Sequence, residues 1–324
     1  MSQRPVASIS LDLDNKWSYL KTRGDAAWQG FPSYLDTVVP RIVEFLEQRR
    51  LTTTVFVVGR DASLEKNRGA LERLAAAGHS IGSHSFDHEP WLHLYSREQL
   101  VEELERAEES IERATGVRPK GFRGPGFSVS AALLEVLAER GYEYDASVFP
   151  NVLNPVARAY FLATAKLSPE ERERRKALFG TLRDARRPID AFWWTLPRGR
   201  LLEIPVTTMP IFRIPIHMTY VHYVGKYSKT AAAAYTRAAV RLCRLTGTEL
   251  SFLLHPSDFL GREDDADMRF FPAMDVPYER KQAVLHDAFD ALEAAFDVVS
   301  LEQHAARIAA GRKLAELEPA RALN

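Results

Sequence analysis

Val6-Ala7-Ser8-Ile9-Ser10-Leu11-Asp12-Leu13-Asp14 reads as a β-strand over residues 6–13 that runs into acids at its end. Residues i and i+2 of a strand face one side, so Asp12 and Asp14 can point into one pocket across Leu13. Working outward, strand and helix patterns alternate. Residues 34–50 carry Val38, Ile42, Phe45 and Leu46 on one helical face. Strand-like segments follow at 52–58, 79–83, 121–123, 142–145, 201–206, 249–255 and 296–301. Helical segments at 71–77, 131–140, 228–245 and 278–295 fall between them, with a long charged helix starting at the Ser96 cap. Repeated β–α units of this length predict an α/β fold: a distorted (β/α) barrel of about seven parallel strands.

A second stretch, Gly82-Ser83-His84-Ser85-Phe86-Asp87-His88, carries two histidines four apart. That spacing predicts one face of a helical turn, from which both imidazoles reach one ion. Two histidines and a carboxylate, with positions left for water, form a catalytic metal site rather than a closed structural one. Asp12, Asp14, His84, Arg123, Asp145 and His255 all fall at or just past strand C-terminal ends. In a parallel barrel those ends converge on one mouth. His79 and His93 match no such position and read as structural, and Asp87 as a supporting or capping residue.

The 324 residues suffice for one large α/β domain, and we expect a single catalytic domain over 1–324. Lys+Arg and Asp+Glu are equal at 43 each, so no global field points to nucleic acid. Cys243 is the one cysteine, which excludes an intrachain disulfide and a thiolate cluster. The N-terminus lacks a secretory pattern, and no apolar run reaches the roughly 20 residues of a membrane span. The expected location is the cytoplasm. Residues 151–200 hold eleven Lys/Arg against five Asp/Glu and read as a basic helical insertion after the fifth strand, with Ser168-Pro169-Glu170-Glu171 as a helix start. Residues 303–324 read as a helical tail. The insertion is read as a solvated helix or as a seat for an anionic head group. The aromatic stretch Met209 to Val224 is read as core, as an interface between copies, or as peripheral contact with the inner membrane face.

These residues resemble the polysaccharide deacetylase family, whose catalytic region is the NodB homology domain (carbohydrate esterase family 4). Five short motifs in family order span residues 6 to about 301. The resemblance implies that Asp12 in Ser10-Leu11-Asp12-Leu13-Asp14 is the general base and Asp14 a metal ligand. It implies that His84 and His88 complete the metal site, and that Arg123 in Phe122-Arg123-Gly124-Pro125-Gly126 orients the base. By the same resemblance Asp145 pairs with Arg123 or with the acid histidine, and His255 in Leu253-Leu254-His255-Pro256 is the general acid. The sequence departs from the pattern where Leu13 separates the aspartates and Asn15 follows. This D-x-D spacing resembles a branch acting on atypical substrates. Asp258 lies near His255 with no role in the pattern.

Amide hydrolysis needs a nucleophilic water, stabilisation of charge on the carbonyl oxygen and a proton for the leaving group. A metal lowers the pKa of its water from 15.7 toward roughly 7 and polarises the carbonyl. Zn²⁺ is the expected ion for this donor set. The expected reaction is release of an N-acetyl group from an amino sugar, free, nucleotide-linked or lipid-linked. The alternatives are a cyclic-amide hydrolase of allantoinase type and a non-catalytic saccharide-binding protein.

Overall fold

A computed structural model of the chain describes residues 4–165, 183–311 and 313–323. Among these residues ten strands form one sheet: β1 (Val6–Asp12), β2 (Thr54–Val57), β3 (Ser80–Ser83), β4 (Gly121–Phe122), β5 (Tyr144–Asp145), β6 (Phe192–Leu196), β7 (Gly199–Glu203), β8 (Leu250–Leu254), β9 (Asp297–Ser300) and β10 (Glu316–Leu317). The order is β10-β6-β7-β5-β4-β3-β2-β1-β8, with β9 also on β1. Every pairing is parallel except the β6–β7 hairpin.

β1 is the hub, and its alternation explains why. Ala7, Ile9, Leu11 and Leu13 are buried in the main apolar core, against helices such as Leu35–Gln48 and Tyr278–Ala295. Ser8 and Ser10 face the other way: Ser8 Oγ lies 3.0 Å from His304 Nδ1, and Ser10 Oγ accepts from Arg123. Asp12 continues this polar row. One edge of β1 carries β8 from Ala7 to Leu11. The other is shared by β9 over Val6–Ile9 and β2 over Ser10–Asp12. The sheet therefore forks at its centre, and the helix Leu301–Ala309 packs beneath the fork on Phe56, Tyr144 and Leu202.

The inner face is crowded, and glycines make room for rings. A Cβ on Gly82 would meet the Phe56 ring at 2.6 Å, and one on Gly121 the Tyr144 ring at 2.1 Å. No strand ladder joins β8 to β7 among the described residues. The gap is bridged past the end of β7, where the Thr207 amide donates to Ser251 O (3.1 Å) and the Ser251 amide to Thr207 Oγ1 (2.7 Å). This mostly parallel sheet with flanking helices is the α/β fold expected from the alternation, with ten strands among the described residues where about seven were expected and no ladder closing it into a barrel.

Two expectations change. Among the described residues, the segment read as a basic helical insertion contributes the helix Asn154–Thr164 and then β6, the first arm of the β6–β7 hairpin. Phe192 and Trp194 are buried because they form the inward positions of β6, packed on Leu133, Leu137 and Leu201. The helix start expected at Ser168-Pro169-Glu170-Glu171 lies outside the described residues. The tail is not wholly helical either: β10 extends the sheet on β6, followed by the short helix Pro319–Ala322. No helix among the described residues is long and apolar enough to cross a membrane.

Candidate metal centre and active site

Strand register brings the predicted residues to one level. Leu11 pairs with Leu254, Asp12 with Phe56, Val57 with Ser83, Ser83 with Phe122 and Phe122 with Asp145. Asp12, His84, Arg123, Asp145 and His255 are therefore the last residue, or the first beyond, of five of the six strands in the parallel run β5-β4-β3-β2-β1-β8. Asp14 lies two residues further on, on the same face as Asp12 because Leu13 turns into the core.

Asp14, His84 and His88 are buried, and each offers a ligand atom within 4.8 Å of the others. His88 Nε2 lies 2.9 Å and His84 Nε2 3.3 Å from Asp14 Oδ1. His84 Nδ1 is 2.6 Å from the Arg123 carbonyl oxygen. A carbonyl can only accept, so Nδ1 carries the proton and Nε2 presents its lone pair to the site. Burial disfavours charge on Asp14, but His88 and His84 outweigh it and hold the carboxyl well below its ordinary range. Two imidazole nitrogens and one ionised carboxylate fit a divalent ion.

The histidines do not lie on a helical turn, as their spacing suggests. Residues 84–88 form a loop in which Ser85 (φ 61°) and His88 (φ 52°) are left-handed. These two reversals turn both rings inward. The loop is held by Glu103 Oε1, which accepts from the Phe86 and Asp87 amides (2.9 and 2.8 Å), and by Ser85 Oγ, which accepts from the His88 amide (3.2 Å). Asp87 points away and accepts from Arg60 Nε at 2.9 Å.

Arg123 is fully buried. Its Nη1 donates to Asp12 Oδ1 (2.7 Å) and Ser10 Oγ (2.9 Å), its Nε to Ala146 O (2.9 Å), and its plane covers the Phe56 ring at 4.5 Å. One residue thus fixes Asp12 through its side chain and His84 through its carbonyl.

Asp145 does not make the expected contact. Among the described residues it pairs with neither Arg123 nor His255. Ser147 Oγ donates to its Oδ1 (2.6 Å), and register sets it opposite Glu203. Glu203 accepts from the Val148 amide (3.0 Å) and Trp194 Nε1 (2.8 Å). Burial and the facing Asp145 push Glu203 well above the usual carboxyl range. Ser147 Oγ in turn accepts from the Gly124 amide (2.8 Å), which ties the pair to the Arg123 loop.

His255 opens the turn Pro256–Phe259, and Asp258 caps it by accepting the His255 amide at 2.8 Å. Thr219 Oγ1 lies 3.2 Å from His255 Nδ1 and 3.4 Å from Asp258 Oδ1. The His217 ring packs 5.7 Å from that of His255 and 5.6 Å from Phe149, and burial lowers its pKa well below the ordinary value. Sequence reasoning missed Glu203, His217 and Thr219. The available signal for Asp258 was its place three residues after His255, the spacing of a turn cap.

Residues 21–144 match the family model for polysaccharide deacetylase. This segment holds His84, His88 and Arg123; Asp12, Asp14 and His255 lie outside it. A chitin deacetylase of Colletotrichum lindemuthianum is 32% identical over 109 residues, 33% of this chain and 44% of that protein. A peptidoglycan deacetylase of Helicobacter pylori is 27% identical over 117 residues, 36% and 39% respectively. The matched segments thus span less than half the length of these relatives. A Mycobacterium smegmatis crystal structure, provisionally described as a polysaccharide deacetylase, superposes with a TM-score of 0.63 at 19% identity, covering 98% of this chain and 96% of that one. That likeness extends the fold over nearly the whole chain. On these matches, residues 21–144 are similar to the polysaccharide deacetylase family, and the likeness over the rest of the chain is one of fold.

Proposed function

We propose that this chain hydrolyses the N-acyl group, acetyl first, of an amino sugar, with a divalent ion held by Asp14, His84 and His88. One observation carries the reading: a two-histidine, one-carboxylate donor set, an arginine-held carboxylate and a histidine meet at a single barrel mouth. The relatives named as chitin and peptidoglycan deacetylases support the substrate class. Zn²⁺ suits the donors. When bound, the ion supplies Lewis acidity to the acyl carbonyl and acidity to a water.

The protein's own groups do the rest. Asp12 takes the proton of the attacking water, and Arg123 holds that carboxylate in one orientation. His255 protonates the departing nitrogen. Its Nδ1 is engaged by Thr219, which leaves Nε2 as the donor atom. Asp145 and Glu203 lie behind Arg123 and support its loop rather than touch the substrate.

The test measures acetate release from N-acetylated chito-oligosaccharides and peptidoglycan fragments, with metal content beside it. Asp12→Asn keeps the ion and loses about 10²- to 10⁴-fold in turnover. His255→Ala loses more on amides than on activated esters, whose leaving groups need no proton. A fully active Asp12→Asn removes the base assignment. Turnover of a cyclic amide by the metal-free protein replaces the whole reading with the allantoinase type.

A second reading of the substrate rests on Ile211 and Phe212, 73% and 57% exposed on the loop after the β7 extension. Such a tip suits a lipid-linked amino sugar presented at a membrane surface, the cytoplasmic face being the expected one. Wild-type protein that stays in the supernatant with anionic vesicles, at low salt, rules this out.

A further inference from the structure

The segment that follows β2, Val58-Gly59-Arg60-Asp61, belongs to none of the five motifs, yet it touches both halves of the metal centre. On one side its backbone holds the histidine loop. The Gly59 amide donates to Ser85 O (2.8 Å) and the Arg60 amide to Phe86 O (2.9 Å), while the Arg60 side chain grips Asp87. Gly59 can approach this closely because it lacks a Cβ, which would meet Phe86 and the Ala107 backbone at 2.8 Å.

On the other side, Asp61 holds the Asp14 turn. Its Oδ1 accepts from Asn15 Nδ2 (2.7 Å), Trp17 Nε1 (3.0 Å) and Asn67 Nδ2 (2.8 Å). All four side chains are at most 1% exposed. The Asn15 amide cannot be flipped, because its Oδ1 accepts from the Lys16 and Tyr34 amides (2.8 and 3.1 Å). Tyr34 closes the arrangement by donating its hydroxyl to Asp14 O (2.5 Å). The Trp17 ring, fixed by Asp61, lies edge-on to His88 with centroids 6.4 Å apart.

We propose that Gly59-Arg60-Asp61 is a clasp that sets the distance between Asp14 and the His84–His88 loop, and that Asp61 is the positioning residue for metal affinity. This rests on the reading of Asp14, His84 and His88 as the metal site. Asp61 ligates nothing. It removes the freedom of the Asp14 turn to move against the histidines, so the ion meets ligands already in place. Asn15 is the link: it follows Asp14 directly, and its side-chain amide ties that turn to Asp61.

The experiment measures Zn²⁺ affinity of the full-length protein by chelator competition, under conditions where circular dichroism shows each variant folded. Asp61→Ala should bind Zn²⁺ about 10- to 100-fold more weakly than wild type, the usual size of a lost supporting contact. Asp61→Asn should stay within about threefold, because Oδ2 has no partner to lose and the amide oxygen can take the three donors. A purely structural role predicts lower stability for Asp61→Ala with unchanged affinity, and that result overturns the proposal. Should Asp61→Ala fail to fold, Asn15→Ala leaves Asp61 its Trp17 and Asn67 donors and must show the same loss; full affinity there equally overturns it. Wild type that binds no divalent ion sinks the metal reading itself, whereas tight wild type with tight Asp61→Ala sinks only the clasp.

Discussion

Replacing Arg123 by Met separates the two jobs of that residue. Met fills the aliphatic stem but deletes the guanidinium, and with it the 2.7 Å contact to Asp12 and the bonds to Ser10 and Ala146. Asp12 is buried, so breaking the pair leaves a carboxylate without its cation, which costs about 3–5 kcal/mol. Urea unfolding at pH 7 should therefore show about 3–5 kcal/mol of lost stability. Asp12→Asn in the Met background should recover part of this, giving a coupling of about 1.5 kcal/mol or more. The His84 contact uses the Arg123 carbonyl, which every residue retains. Zn²⁺ affinity should accordingly survive while hydrolysis collapses. A loss under about 1 kcal/mol, or additivity of the two substitutions within about 0.5 kcal/mol, refutes the account of Arg123 as the charge partner of Asp12.

The carboxyl pair behind Arg123 predicts a pH effect. A carboxyl with a folded pKa above its unfolded value, near 4.3 for glutamate, holds its proton more tightly in the native state. The stability this confers is complete below the unfolded value and is lost as pH rises through the folded one, and Glu203 is shifted in that direction by burial and by Asp145. Wild-type stability should thus fall relative to Glu203→Gln as pH rises above about 4.5; parallel curves exclude the upward shift of Glu203. At the other side of the mouth, Thr219→Val should lower amide turnover about tenfold with little effect on an activated ester, and Thr219→Ser should recover most of it. An unchanged amide-to-ester ratio shows that Thr219 does not hold the acid.

What the sequence disclosed follows the range of the forces involved. The period-2 register of β1 needs only local alternation, so the same-side placement of Asp12 and Asp14 was legible despite Leu13. The strand ends were legible because each is bounded by its own turn residues, and parallel strands align those ends without further information. The His84–His88 geometry was not: the spacing suited a helical turn, while two left-handed residues in a loop produced the same convergence by another route. Nothing in Ser85 or His88 announces a positive φ, because the cause lies in Glu103, on a helix whose sequence reads as solvated charge.

Asp145 shows the limit more sharply. A motif assigns it a partner by family order, but a buried carboxylate takes the partner that its neighbouring strand supplies. Here that strand is β7, which overlaps the strand expected at 201–206 and whose hairpin partner β6 falls in the region read as helical insertion; it brings Glu203 to Asp145. With Asp145 occupied there, His255 is supported among the described residues by Thr219 of the helix Met218–Tyr227 at its Nδ1 and by Asp258 of the turn it opens. The supporting residues of this site are set by which strands became neighbours, whereas its candidate metal-ligand and acid–base residues are set by where strands end; only the second kind can be read from one chain.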